Sequence, residues 1–168
     1  MKREVSYGLY YGGFSILCLL VMYITELNRT DAANYLNLIP IIAYVSLIVK
    51  MVDDKKKEND GFISFSTVFK GGLIIGTLGG VINSVFYFFY IKFIDVTFID
   101  YLKQKTIAEL EAKGLSEKMI DQTITQANTF MTPNSFLITG IFGAIFVAAI
   151  ISLIIAAIMK KPNPNEIA

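Results

Sequence analysis

The stretch GGLIIGTLGG, residues 71–80, holds five glycines in ten positions and runs straight into VINSVFYFFYIKF, residues 81–93. Two readings compete for so much glycine. One is a loop whose backbone amides cradle phosphate; the other is a helix surface pared down so that a second helix can come close. The phosphate loop fails on three counts. No Gly-Lys-Ser/Thr closes the stretch, no strand pattern precedes it, and it opens an apolar run where unwound backbone facing lipid would leave amides without partners. The helical reading fits the spacing: Gly72, Gly76 and Gly80 recur every four residues and so share one face.

That reading places the stretch in a membrane, and the rest of the chain agrees. The 168 residues are 54% hydrophobic and only 17% charged, with a mean hydropathy of +0.56. A soluble domain of this size cannot hide so much apolar surface, because its exterior needs polar groups. The charges cluster and leave four long clear windows, at about residues 5–24, 36–52, 71–93 and 136–159. A hydrocarbon core about 30 Å thick takes roughly 20 helical residues at about 1.5 Å each. The windows lack the alternation of a membrane barrel, so the expected fold is all-α, a single four-span domain over residues 1–168. Pro40 falls in the opening turn of the second span, where proline is tolerated. Lys2 and Arg3 before the first window resemble the start of a signal peptide, but the run has spanning length and ends in MYITELNR without a small-residue cleavage pattern. It is read as a retained span.

Four spans put both termini on one side. That side carries Lys2, Arg3, Lys50, Lys55, Lys56, Lys57, Lys70, Lys160 and Lys161; the other carries Arg29, Lys92, Lys103, Lys105, Lys113 and Lys118. Most of the second group lies in a long loop remote from the spans, so the positive-inside rule places the termini on the cytoplasmic side. The run KMVDDKKKENDG, residues 50–61, reads as a solvated turn that fixes this orientation, since Asp53, Asp54, Glu58 and Asp60 nearly cancel its lysines. FISFSTVF, residues 62–69, is expected along the interface before the third span.

Residues 94–135 are too many for a plain loop and read as an extracytoplasmic helical hairpin. Its first helix is expected to continue from the third span to about Ala112–Lys113, with Gly114 turning left-handed. The second starts at Ser116 as N-cap, with Leu115 and Ile120 as a hydrophobic staple and Ile120, Ile124, Ala127 and Met131 as an apolar stripe. Pro133 and Asn134 are expected to close it.

The fourth span answers the glycines with Gly140, Ala144, Ala148, Ser152 and Ala156, again every four residues, and the first span has Gly8 and Gly12. Lipid supplies no hydrophobic drive to pull helices together, so close van der Waals packing must. The third and fourth spans are therefore expected to be neighbours, and the same faces could join two copies of the chain. Asn83 shares the glycine face near mid-span, with Ser152 as its expected partner, and Tyr44 lies deep enough to need one. These two form the candidate buried polar site. Cys18 reads as a small packing residue.

Chemistry has little to work with. Histidine and tryptophan are absent, Cys18 is the only cysteine, and no acid or base lies deep in a window. Asp95 and Asp100 are five apart and diverge on a helix, a poor cation site. No catalytic residue, metal or cofactor is expected, and a net charge of +1 gives no field for nucleic acid.

The turn DDKKKENDG, the segment GFISFSTVFKGGL, the exterior GLSEKMID and a small-residue last span ending in Lys-Lys together resemble a family of four-span membrane proteins common in Bacteroidota and catalogued only as a domain of unknown function. The resemblance covers essentially the whole chain. It implies a bacterial inner-membrane protein, often neighbouring membrane glycosyltransferases that use polyprenyl-phosphate sugars. The expectation is a non-catalytic accessory or scaffold protein of the cell envelope, touching lipid and a protein partner or a second copy through its small-residue faces or the hairpin. The alternative is an oligomeric transporter or flippase-like component for a small amphiphile or lipid-linked group.

Overall fold

The computed structural model describes residues 2–163. In chain order these form α1 (Lys2–Ile24), a 3-10 turn (Leu27–Arg29), α2 (Ala33–Leu36), α3 (Leu38–Glu58), α4 (Phe65–Phe89), a π-helical turn (Tyr90–Ile94), α5 (Phe98–Ala112), α6 (Glu117–Phe130) and α7 (Pro133–Met159). Among the described residues there is no strand, only one antiparallel bridge between Ile63 and Lys161. The fold is all-α as expected. Four stretches, Lys2–Ile24, Ala33–Glu58, Phe65–Ile94 and Pro133–Met159, are long and apolar enough to cross a membrane.

Helix ends depart from the sequence expectation where local capping decides them. α3 does not stop before its charged run: DDKKKE is helical to Glu58. The helix is then closed by Asp60 at φ 48°, with the Gly61 amide donating to the Lys56 carbonyl at 2.8 Å. The turn itself is only Asn59–Gly61. FISFSTVF is not a separate segment before the third helix, because α4 already begins at Phe65. Ser64 caps it: its Oγ accepts from the Thr67 amide at 3.2 Å and bonds Thr67 Oγ1 at 2.8 Å.

At its far end the third span does not continue into the hairpin. The π-helical turn and residues 95–97 interrupt it before α5. Gly114 takes φ +74°, and the Leu115 amide reaches the Leu110 carbonyl, closing α5 as expected. Ser116 stands at the N-cap of α6 in extended geometry but makes no side-chain cap bond. Pro133 opens α7 instead of closing α6. Proline suits a first helical position, and Thr132 Oγ1 accepts the Ser135 amide at 3.2 Å.

The chain divides into two compact units, Met1–Asn83 with Ile141–Ala168, and Ser84–Gly140. The core of the first holds Tyr44, Ile48, Met51 and Val52 of α3, Val68 and Ile75 of α4, and Ala148, Ile155 and Ala156 of α7. The α3 residues recur at helical spacing and make one inward stripe. Outside lie Leu9, Leu17, Ile42, Phe146, Leu153 and Ile158, all exposed. Water would not tolerate that much open apolar surface; a bilayer favours it.

The second unit packs on rings. Tyr87 stacks on Tyr90 at 5.7 Å and meets Phe98 and Phe136 edge-on. Asp95 is buried here, accepting from the Tyr90 hydroxyl at 2.9 Å and from Thr97 Oγ1 at 3.1 Å. Ile120 of α6 is buried and Ile124, Ala127 and Met131 are half-buried, whereas Phe130 stands exposed.

Candidate functional site: the buried Tyr44 hydroxyl

Tyr44 is 2% exposed, so its phenol must find partners inside the protein. α4 makes the room. A Cβ on Gly76 would stand 2.6 Å from the Tyr44 Oη, so glycine there leaves space for the phenol. The hydroxyl lies 3.0 Å from the Gly72 carbonyl, 3.3 Å from the Ala148 carbonyl and 2.9 Å from Ser152 Oγ. A phenol has one proton to give. With Ser152 donating to Tyr44, the phenol proton is free for the nearer carbonyl, that of Gly72, with the Ala148 carbonyl a longer second acceptor. Tyr11 of α1 stacks on the Tyr44 ring at 5.1 Å. Three helices are thus joined through one hydroxyl, with a fourth against its ring.

Along α4 and α7 the small residues meet in antiparallel register. A Cβ on Gly72 would fall 2.5 Å from Ser152 Oγ, one on Gly76 would fall 2.6 Å from the Ala148 Cβ, and one on Gly80 would meet the Ala144 Cβ. Each step of four forward on α4 meets a step of four backward on α7. Within the second unit, a Cβ on Gly140 would come 2.8 Å from Ser84 Oγ, in the same order. On α1, Gly8 lies under Leu78 and Gly12 under Ile82. Ala156 is fully buried in the first unit's core.

The pair proposed from sequence is not a pair. Ser152 bonds Tyr44, whereas the Asn83 Oδ1 is buried with no hydrogen-bond partner. The register explains it. Ser152 faces Gly72, and Asn83 lies eleven residues further along α4, about 16 Å at ~1.5 Å per residue. A shared helix face does not mean a shared depth.

The sequence reading also passed over Glu4. It is 3% exposed and forms an ion pair with Lys55 of α3. Arg3 adds a bond to Glu58 at 2.6 Å, and the Tyr7 hydroxyl donates to Asp54 at 2.7 Å. These contacts clasp the start of α1 to the end of α3. A signal was present, since Glu4 lies four residues before Gly8 and Gly8 four before Gly12, all three buried on one face of α1. Among the described residues no group of three or more His, Cys, Asp or Glu is placed to hold a metal. Around Tyr44 the arrangement offers hydrogen bonds and close packing. Among the described residues no ionisable side chain is hydrogen-bonded to the phenol.

The fold and this interior define a class: an all-helical polytopic membrane protein whose four candidate spans include three linked through a buried tyrosine hydroxyl. Residues 6–161 match the family described as Protein of unknown function (DUF4199), and the chain belongs to it. No curated protein and no solved structure matches the chain.

Proposed function

We propose that this protein is a non-catalytic accessory or scaffold subunit of a bacterial inner-membrane assembly, with both termini cytoplasmic and a membrane glycosyltransferase of the cell envelope as its candidate partner. The Tyr44 knot carries the reading. At mid-span of the first unit, where a solute path would need polar groups open to a passing ligand, the phenol is occupied by α4 and α7 and flanked by Ile48, Ile75 and Ala148. Small residues at four-residue spacing are there used up by neighbours within the chain, which supports internal packing as their role. The excess of lysine and arginine on the side of the termini supports the orientation.

A second reading, an oligomeric transporter or flippase-like component, draws on Asn83, whose buried Oδ1 makes no hydrogen bond. Extraction from the native membrane into nanodiscs, followed by native mass spectrometry, separates the two. A stoichiometric second protein supports the scaffold. A homo-oligomer retaining a small amphiphile overturns it in favour of transport.

A further inference from the structure

We infer that the end of the first unit where α3 turns into α4 is a binding site for the phosphate of an anionic phospholipid headgroup. By composition the lysine run looked nearly neutral, but the structure sorts its charges. Glu4 is held by Lys55, Glu58 by Arg3, and Asp54 by Lys50 and Tyr7. Two of the four acids in the run, Asp54 and Glu58, are thus engaged within the fold. Lys2, Lys56, Lys57, Lys70, Lys160 and Lys161 make no ion pair among the described residues, against the exposed acids Asp53 and Asp60.

These cations share one place. The Arg3–Glu58 contact brings the start of α1 to the end of α3, and Ile63 and Lys161 exchange two backbone bonds of 2.8 Å that bring the residues after α7 to the same turn. There the surface is hollowed. A recess of about 400 Å³ is lined by Asn59, Phe62, Ser64 and Thr67 together with Lys55 and Glu58, each paired to a residue of α1, and the Lys161 ammonium stands 5.3 Å over the Phe62 ring. A lysine over one lining ring, hydroxyls and an amide among the lining, and the apolar Phe62 and Ile63 beside them suit a phosphate joined to a glycerol backbone. The four helix ends around it all belong to candidate membrane spans, so the layer they reach is the headgroup layer. That position favours lipid over an acidic protein as the occupant.

The test uses the full chain in nanodiscs containing phosphatidylcholine and phosphatidylglycerol at four to one, with retained lipids counted by native mass spectrometry. The expected result is phosphatidylglycerol enriched several-fold over its bulk share, with the enrichment shrinking in high salt. Replacing Lys56, Lys57, Lys160 and Lys161 by glutamine should bring it back to near the bulk share, since each lysine contributes about 1 kcal/mol of the attraction. The same change at Lys103, Lys105, Lys113 and Lys118 should leave it. Circular dichroism checks that each variant keeps its helix content. Retention in bulk proportion by the wild-type chain, or equal retention by the two quadruple variants, would overturn the inference, as would loss of lipid preference alongside capture of an acidic protein.

Discussion

Replacing Gly76 by alanine tests whether the tyrosine knot and the α4–α7 contact hold the first unit together. The added methyl would sit 2.6 Å from both the Ala148 Cβ and the Tyr44 Oη. Carbon atoms in contact rest at about 3.5–4.0 Å, so each approach is short by about 1 Å. The Ala148 Cβ has no rotamer to change, and Tyr44 is held by its hydrogen bonds, so the helices must part. Overpacking of this kind costs about 1–3 kcal/mol, and a lost interhelical hydrogen bond adds about 1 kcal/mol. Against this, alanine gains about 1 kcal/mol of helix propensity over glycine.

Gly13→Ala isolates that gain, because nothing lies within 4 Å of a Cβ there. Gly76→Ala is therefore expected to be the less stable of the two by about 2 kcal/mol or more. With no tryptophan in the chain, the assay is loss of the far-ultraviolet helical signal on titrating SDS into mixed micelles. Equal midpoints for the two variants would refute the reasoning.

Tyr44→Phe should cost about 1–2 kcal/mol in the same titration, and about 1 kcal/mol less in a Ser152→Ala background, where the Ser152 bond is already gone and only the bond to the Gly72 carbonyl is left to lose. Full additivity in the double-mutant cycle would mean that they do not interact. Lys55→Met leaves the Glu4 carboxylate without its ammonium partner and is expected to cost about 1–3 kcal/mol, most of it recovered when Glu4→Gln is added; a double variant no better than Lys55→Met would count against the pairing. Gly114→Ala forces a side chain into a left-handed turn at about 1 kcal/mol, so amides of α5 and α6 should exchange about fivefold faster while those of α3 stay as they were.

Much of this fold is written in the chain at the level of periodicity. The glycine repeat at 72, 76 and 80 and its counterpart at 144, 148 and 152 mark which faces of α4 and α7 are small, and the apolar windows mark four spans. Periodicity fixes a face and leaves depth open, and for that reason it pairs Asn83 with Ser152 across the wrong turns. Hydropathy likewise finds the stretch that lipid demands, but the helix continues for as long as capping allows. α3 therefore runs through three lysines to reach Glu4 and Arg3, and α4 begins at the Ser64 cap. The buried place of Asp95 was hidden for a related reason. A five-residue spacing diverges on a regular helix, and only the π-helical turn brings the Tyr90 hydroxyl to it.

The bridge between Ile63 and Lys161 has a consequence for assembly order. A ribosome makes residue 161 almost a hundred residues after residue 63, so the turn between α3 and α4 waits for its partner until the last span has been delivered. Tyr44 waits too, because Ser152 and the Ala148 carbonyl arrive with the same helix. Until then the first three spans hold a phenol with one acceptor of its three neighbours, and the Ile63 amide lacks its backbone partner. The final helix is the bolt of this protein, and a chain stalled before it would hold an open seam between α3 and α4.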